Sequence, residues 1–279
     1  MVLVGLAFVA TTWFVAGSLV APAKHSVGSP PSGFQIESHT IRSESGSALA
    51  AWYVPCDGAH ATVILLHPVR ADRRAMLGRA ELFRDAGYAT VLVDLQAHGE
   101  SPGKIITAGF RERLDVVATV DFARTKNPKH KIGIVGWSLG GAAALLASPL
   151  NVDAMVLESV YPTISEAVHN RVSMRLGALS HVVTPALLVQ FKPRLGVSLS
   201  QLRPIDNISV VGCPVLVASG DVDLHTTLSE TRRLYDTALE PKRLVIFEGA
   251  AHNDLLAYDR DKYQEILAFL DYNLRHTEM

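Results

Sequence analysis

The chain has 279 residues, which is enough for one large domain or two small ones. Hydrophobic residues make up 48% of it, so a sizeable core can be buried. The formal net charge is -1, and neither a basic stripe nor an acidic tail occurs, which argues against a nucleic-acid partner.

Two cysteines, Cys56 and Cys213, are too few and too far apart for a disulfide scaffold or a zinc site. We expect both to be free thiols, with a single disulfide as the alternative. Cysteine usage therefore leaves the redox compartment open.

Residues 1–23 contain no charged side chain, and their apolar run of about 20 residues is long enough to cross a bilayer as a helix. We expect a membrane anchor here in a bacterial protein. The alternative is export after signal cleavage, because Ala21-Pro22-Ala23 offers small residues at a suitable spacing, although no Lys or Arg precedes the run. Residues 24–33 are rich in Ser, Pro and Gly and predict a linker.

The remaining chain, residues 34–279, is predicted to form one domain. It begins with two alternating stretches, 34–41 and 49–54, which predict an antiparallel edge hairpin. Apolar strands then alternate with helical patterns, which indicates a mostly parallel sheet covered on both faces. The predicted strands are 61–66, 90–94, 132–136, 154–158, 215–219 and 244–247. The predicted helices are 75–85, 111–124, 139–148, 226–238 and 263–274.

The alternation breaks at residues 161–208, which contain helical pieces and no clear strand. This insertion follows a predicted parallel strand at its carboxyl end. Ligands bind at that edge of open parallel sheets, so we expect the insertion to be a cap over a pocket.

Residues 136–140 read Gly-Trp-Ser-Leu-Gly and match the pattern G-x-S-x-G. The match follows a predicted buried strand and opens a helix of small residues, which is the setting that exposes a nucleophilic serine. The helix N-terminus below it would stabilise a developing oxyanion. We therefore predict Ser138 as nucleophile, the alternative being a structural turn with an idle serine.

A serine nucleophile needs a base and an orienting carboxylate. His252 lies in a loop after the last predicted strand, which completes the chain order Ser, Asp, His. Asp223, after the strand 215–219, is the predicted acid. Asp221 is expected to shape the turn, and Glu158, at the end of the preceding strand, is a third candidate whose alternative role is a hydrogen bond in the pocket wall.

Two backbone N–H groups are predicted to form the oxyanion hole. One is that of Leu139, directly after the nucleophile, and the other is that of Val69, in the loop after strand 61–66. His67 in the same loop is expected to brace the backbone rather than to react.

Five segments together resemble α/β-hydrolases of the serine aminopeptidase-like and monoacylglycerol-lipase-like branch. They read GWSLG, HPVRADRRAM, DLQAHGESPG, SGDVDLHT and GAAH. The resemblance covers residues 36–274 and implies the α/β-hydrolase fold: a mostly parallel eight-stranded sheet with helices on both faces and a small helical cap. It also implies that no metal or organic cofactor is needed.

The chain departs from the pattern of that branch at two positions. Ala97 stands where glycine is common, and Pro68 follows His67 where glycine is usual. Proline fixes the backbone and removes a donor, which affects the expected shape of the oxyanion loop.

We expect a serine hydrolase that cleaves a carboxylic ester through an acyl-enzyme, with a lipid-like ester and a thioester among the candidate substrates. The expected partners are a small ester or acyl substrate and a membrane, without nucleic acid; oligomeric state is left open. The alternatives are a peptidase or amidase, a transferase that uses an alcohol in place of water, and a non-enzymatic binding module on the same fold.

The predicted cap also contains arginines that are candidates for binding an anionic group. They are Arg171, Arg175, Arg194 and Arg203.

Overall fold

A computed structural model of the chain describes residues 2–32 and 35–275, with side chains in the first helix from residue 6 onward. The described strands are β1 Ala23–Lys24, β2 Glu37–Arg42, β3 Ala48–Val54, β4 Ala61–Leu66, β5 Ala89–Val93, β6 His98–Gly99, β7 Lys131–Trp137, β8 Ala154–Glu158, β9 Val215–Gly220 and β10 Lys242–Phe247. The described α-helices are α1 Val2–Val20, α2 Leu77–Asp85, α3 Glu112–Lys126, α4 Leu139–Ala147, α5 Ile164–Leu176, α6 Ser180–Leu188, α7 Phe191–Leu195, α8 Leu228–Thr237, α9 Leu255–Tyr258 and α10 Arg260–Arg275.

The central sheet has eight strands within the described residues, in the order β10-β9-β8-β7-β4-β5-β3-β2. Pairing is parallel from β10 to β5, whereas β3 runs antiparallel to both β5 and β2. The predicted fold class and antiparallel edge hairpin are therefore confirmed. Leu66 lies opposite Gly136 in the β4–β7 register, so the loops after these two strands begin side by side.

Apolar side chains pack on both faces of the sheet, which explains why the strands β4, β5, β8 and β9 are buried at every position. One core includes Val116 of α3 and Leu145 of α4. The other includes Phe83 of α2 and Ile266 of α10. The fold is thus three layers, and the carboxyl ends of the parallel strands share one edge.

Helix starts differ from the predicted ones where capping decides them. Asp72 accepts a hydrogen bond from the Arg74 N–H and begins a short 3-10 turn ahead of α2. Thr227 forms a capping box with Glu230, so α8 begins at Leu228 rather than at 226. Thr226 therefore lies in the loop before the helix and not in its first turn.

The insertion predicted as a cap comprises α5, α6 and α7 between β8 and β9. Thr163 caps the start of α5, and Gly177, with φ of 52°, separates α5 from the following turn and α6. Asn170 donates hydrogen bonds to the His225 carbonyl and to Glu230, which fastens α5 to the loop after β9.

The segment after α1 is packed against the domain. β1 pairs in parallel with β6, His25 Nε2 lies 2.7 Å from Asp72 Oδ2, and Val27 is buried. The first residues of the predicted linker are therefore ordered. The predicted linker end at Gly33, the domain start at Phe34 and residues 276–279 lie outside the described residues.

One helical stretch among the described residues, Ile164–Leu195 in the cap, is long and apolar enough to cross a membrane by length and composition. The apolar part of α1 whose side chains are described, Leu6–Val20, is shorter. Core helices and signal sequences share this composition, so the N-terminal anchor stays a prediction.

Candidate active site

Ser138 occupies a strained turn between β7 and α4. Its φ is 50° and its ψ is −108°, a conformation that L-residues rarely adopt. Its backbone N–H donates to the Glu158 carbonyl at 2.8 Å, which fixes the turn to the end of β8. The side chain is only 1% exposed, and its hydroxyl is buried without a hydrogen-bond partner. A serine with a strained backbone and a buried, unpaired hydroxyl at a helix N-terminus has the features of a catalytic nucleophile.

The glycines around Ser138 allow α4 to approach the sheet closely. A Cβ added to Gly140 would lie 2.4 Å from the Leu66 carbonyl oxygen, and one added to Gly141 would lie 2.3 Å from a methyl carbon of Val160. A Cβ on Gly136 would meet the Gly141 Cα at 2.5 Å. Any side chain at these positions would push the helix away from β7, and the serine turn would open.

His252 and Asp223 are joined directly. The His252 Nδ1 lies 2.7 Å from the Asp223 Oδ2, and the Asp223 Oδ1 accepts hydrogen bonds from the N–H groups of His225 and Thr226. Burial alone raises the pKa of Asp223, but the hydrogen bond and charge of His252 and the two N–H donors bring that pKa below its usual range. The carboxylate is therefore held ionised and aimed at the imidazole.

Ser138, Asp223 and His252 follow β7, β9 and β10, so they share the carboxyl edge of the sheet. The structure brings Asp223 and His252 into contact, whereas it forms no hydrogen bond between Ser138 and His252. The pairing of serine with histidine remains a prediction.

The two other carboxylates that the sequence offered have separate partners. Asp221 accepts a hydrogen bond from the Gly249 N–H at 2.7 Å and so joins the loops after β9 and β10. Glu158 is fully buried and is bound by Arg79, with one contact of 2.5 Å and one of 3.1 Å. Tyr263 also donates to Glu158 at 2.5 Å.

The Arg79–Glu158 pair connects both loops of the candidate site. Arg79 is fully buried, and its Nη1 lies 2.9 Å from Asp254, two residues after His252. Its guanidinium also lies 5.3 Å from the ring centre of Trp137, the neighbour of Ser138. Burying a charge pair costs desolvation free energy, so the pair is not explained by stability alone. Its contacts with both loops indicate that it holds them in position.

The loop predicted to supply an oxyanion donor is braced by His67. The His67 Nδ1 lies 2.8 Å from the Pro68 carbonyl, and its Nε2 accepts from the Leu95 N–H at 3.0 Å. Burial lowers the pKa of His67 to about 4, so the ring is neutral and can hold both bonds. Neither Val69 N–H nor Leu139 N–H donates within the described backbone, which leaves both amides available, as an oxyanion hole needs.

The 94–103 segment packs beside this loop. Asp94 is buried, pairs with the Arg73 guanidinium and accepts from the Glu100 N–H. Ala97, one of the two departures from the family pattern noted in the sequence, adopts a φ of 62°. The segment is thus a structural border of the site, and the alanine takes the left-handed backbone that favours glycine.

One group of three potential metal ligands occurs in the described ranges: Asp223, His225 and His252, with ligand atoms within 4.8 Å of one another. Both oxygens of Asp223 already accept hydrogen bonds, and the His225 ring lies against the His252 ring at a tilt of 36°, with centroids 4.8 Å apart. These contacts are those expected of a histidine base, His252, that is held by the Asp223 carboxylate and packed against the His225 ring.

Sequence reasoning missed three members of this site. His225 gave no signal beyond its place after Asp223, and Arg79 is a helical arginine like those on many surfaces. Asp254 precedes α9 and accepts from the Leu256 N–H, so a capping pattern was the only local signal.

The strand order, the strained serine turn and the helical insertion together define an α/β-hydrolase. A model of the serine aminopeptidase S33 family matches residues 57–205, more than half of the chain. The chain therefore belongs to that family, and the resemblance seen in its motifs is confirmed.

Several related chains share most of the length of this one. The uncharacterized protein YqkD of Bacillus subtilis is 28% identical over 85% of this chain and 80% of its own. The uncharacterized protein Rv2307c of Mycobacterium tuberculosis is 31% identical over 77% of this chain and 71% of its own. An uncharacterized membrane protein of Saccharomyces cerevisiae is 25% identical, with coverage of 90% and 87%.

Solved structures share the fold. The Pyrococcus furiosus esterase Pf2001 superposes with a TM-score of 0.75 at 20% identity and covers 92% of this chain and 98% of its own. The Pyrococcus horikoshii acylaminoacyl peptidase superposes with a TM-score of 0.66 at 15% identity over 88% of this chain and 43% of its own.

Proposed function

We propose that the protein is a serine hydrolase that cleaves carboxylic esters through an acyl-enzyme. The observation that carries this proposal is the strained, buried and unpaired Ser138 hydroxyl at the same sheet edge as the Asp223–His252 pair. The family assignment to hydrolases and the esterase among the structural neighbours support it.

In the proposed reaction, Ser138 attacks the ester carbonyl while His252 accepts the hydroxyl proton. The backbone N–H groups of Leu139 and Val69 stabilise the oxyanion, and Asp223 stabilises the imidazolium. The proton then passes from His252 to the departing alkoxide, which leaves as the alcohol. Water then attacks the acyl-enzyme while His252 accepts its proton, and a tetrahedral intermediate forms. Collapse of this intermediate releases the acid as His252 returns the proton to the Ser138 oxygen.

Peptide hydrolysis is the second candidate, because the family takes its name from serine aminopeptidases and one structural neighbour is a peptidase. An aminopeptidase has to hold a free amine, for which a carboxylate is the natural partner. Residues 161–208 contain two carboxylates, Glu166 and Asp206, and these are paired with Arg233 and Arg203. The cap composition therefore favours an ester with an apolar acyl group.

The test is hydrolysis of p-nitrophenyl esters, from acetate to palmitate, by the full chain in detergent. Ser138→Ala is expected to lose at least about 10⁴-fold in kcat/KM. Ser148→Ala, at the far end of the same helix, is the matched control and is expected to keep activity. The chain length with the highest kcat/KM would define the acyl specificity.

Fluorophosphonate labelling of the same proteins separates the remaining cases. Labelling that depends on Ser138 without ester turnover would contradict the ester substrate and would direct the assay to aminoacyl p-nitroanilides. Absence of both labelling and turnover would contradict the enzyme and favour a binding module on this fold.

A further inference from the structure

Exposed apolar side chains are concentrated on two elements. Twenty large hydrophobic side chains are exposed in the described residues, and twelve of them lie on α1 or between residues 174 and 189 of the cap. On α1 they are Leu6, Phe8, Val9, Trp13, Phe14, Val15 and Leu19. On the cap they are Met174, Leu176, Leu179, Val182 and Val189. Single exposed apolar residues are ordinary, but a concentration of this size indicates a contact surface.

The two sets lie on adjacent helices. Thr12 and Ala16 of α1 are buried, and α1 packs against α6. The Arg194 guanidinium of α7 lies 3.8 Å from the ring centre of Trp13 and donates to the Trp13 carbonyl. We call residues 6–20 of α1 and residues 174–195 of the cap the interfacial face.

The interfacial face and its flanks carry charge of one sign. Residues 1–36 and residues 167–205 contain no Asp or Glu, whereas the second range contains five Lys and Arg. Lys24, Arg175 and Lys192 are exposed beside the apolar side chains. Apolar residues bordered by cations are typical of surfaces that enter the headgroup region of anionic lipids.

This face lies at the edge of the sheet that holds the candidate site. Arg70, in the loop after β4, has its Nη1 3.4 Å from the Ser18 carbonyl and 3.3 Å from the Ala21 carbonyl at the end of α1. Val69, also in that loop, and Leu224, beside Asp223, are 38% and 60% exposed. The interfacial face therefore adjoins the loop after β4, and further exposed apolar side chains lie on loops at the carboxyl edge of the sheet.

We propose that the cap and α1 together insert into the surface of an anionic phospholipid bilayer, with the mouth of the candidate site facing the lipid. Insertion removes the exposed apolar area from water, while the long Lys and Arg side chains reach the phosphates. A protein partner would be expected to meet some carboxylates on this face, and the two ranges offer none. The inference concerns membrane contact and does not depend on the proposed hydrolysis.

The test places a polarity-sensitive fluorophore at single positions of the full chain in phosphatidylcholine–phosphatidylglycerol vesicles. Cys56 and Cys213 are first replaced by serine, and Leu179→Cys or Val182→Cys then receives the label. Leu239→Cys is the matched control, because Leu239 is 61% exposed, close to the 62% of Leu179, but lies before β10 at the opposite edge of the sheet.

Labels at 179 and 182 are expected to shift to shorter emission wavelength and to be quenched by brominated acyl chains, whereas the label at 239 remains unquenched. Arg175→Glu with Lys192→Glu is expected to weaken quenching at 179. A label at 179 that behaves like the label at 239 would overturn the proposal. So would a label that is shielded without bromolipid quenching, which would indicate a second copy or another protein on this face.

Discussion

At the scale of single residues, two nearby aspartates of the candidate site have different hydrogen-bond partners and therefore different expected roles. Asp223 is buried between His252 and two backbone N–H groups, whereas Asp221 accepts from the Gly249 N–H and so joins the loops after β9 and β10. A carboxylate that fixes an imidazole sets its tautomer, and one that joins two loops holds their backbones together.

Asp223→Asn is expected to lower kcat by about 10⁴-fold, because the amide does not stabilise the imidazolium and favours the wrong tautomer. Asp221→Asn keeps an oxygen acceptor for Gly249 and is expected to retain kcat within a few-fold. Ester hydrolysis and circular dichroism of both variants check this. Equal losses in the two folded variants would mean that Asp223 is not the acid.

At the scale of elements, the α2 helix is fixed beneath the site by the Arg79–Glu158 pair. Both side chains have no exposed surface, and Tyr263 from α10 completes the hydrogen bonding of the carboxylate. Burial and the charge of Glu158 raise the pKa of Tyr263 well above its usual value, so the phenol stays protonated and remains a donor. The helices α2 and α10, on the same face of the sheet, are thus joined through the buried Glu158 carboxylate.

Arg79→Met is expected to cost about 3–5 kcal/mol in the free energy of unfolding, because Glu158 is left as an uncompensated buried charge. Adding Glu158→Gln should recover part of this loss. Arg203→Met, which breaks the exposed Arg203–Asp206 pair, is the control and should cost less than about 1 kcal/mol. Urea unfolding measures all three, and a cost for Arg79→Met as small as the control would contradict the role of the pair.

At the scale of the whole molecule, two buried histidines affect the response of the fold to acid. Burial lowers the pKa values of His67 and His98 to about 4, and their ring centroids lie 5.0 Å apart. Their ordinary pKa is 6.5. Between pH 6.5 and 4 the unfolded chain binds protons that the folded chain excludes, so these groups reduce stability as pH falls through that window.

His67→Gln is therefore expected to show a smaller loss of stability from pH 7 to pH 5 than the parent, even though it is less stable at pH 7. The full effect of one such histidine is up to about 3 kcal/mol by pH 4. Asp115, whose pKa burial raises to about 6, acts in the opposite direction, so the comparison is made between the two proteins. Identical pH slopes in urea unfolding would exclude His67 as a contributor.

Much of the architecture was predictable because it depends on local pattern. Continuous apolar runs such as Ala61–Leu66 mark strands buried on both faces, and the Gly-rich sequence around Ser138 marks a tight strand-to-helix turn. The family motifs added the carboxyl-edge placement of Asp223 and His252. These features depend on residues close together in the chain, so the fold class and the candidate triad could be predicted before the structure was known.

Tertiary structure alone decided which distant groups meet. Arg79 and Glu158 are 79 residues apart, and only the packing of α2 on the sheet turns two ordinary charges into a buried pair. The contact of Arg194 with Trp13 likewise joins the cap to the first helix across 181 residues. Such contacts depend on packing geometry rather than on periodicity, and for that reason the brace beneath the site and the apolar face above it became visible only in the folded chain.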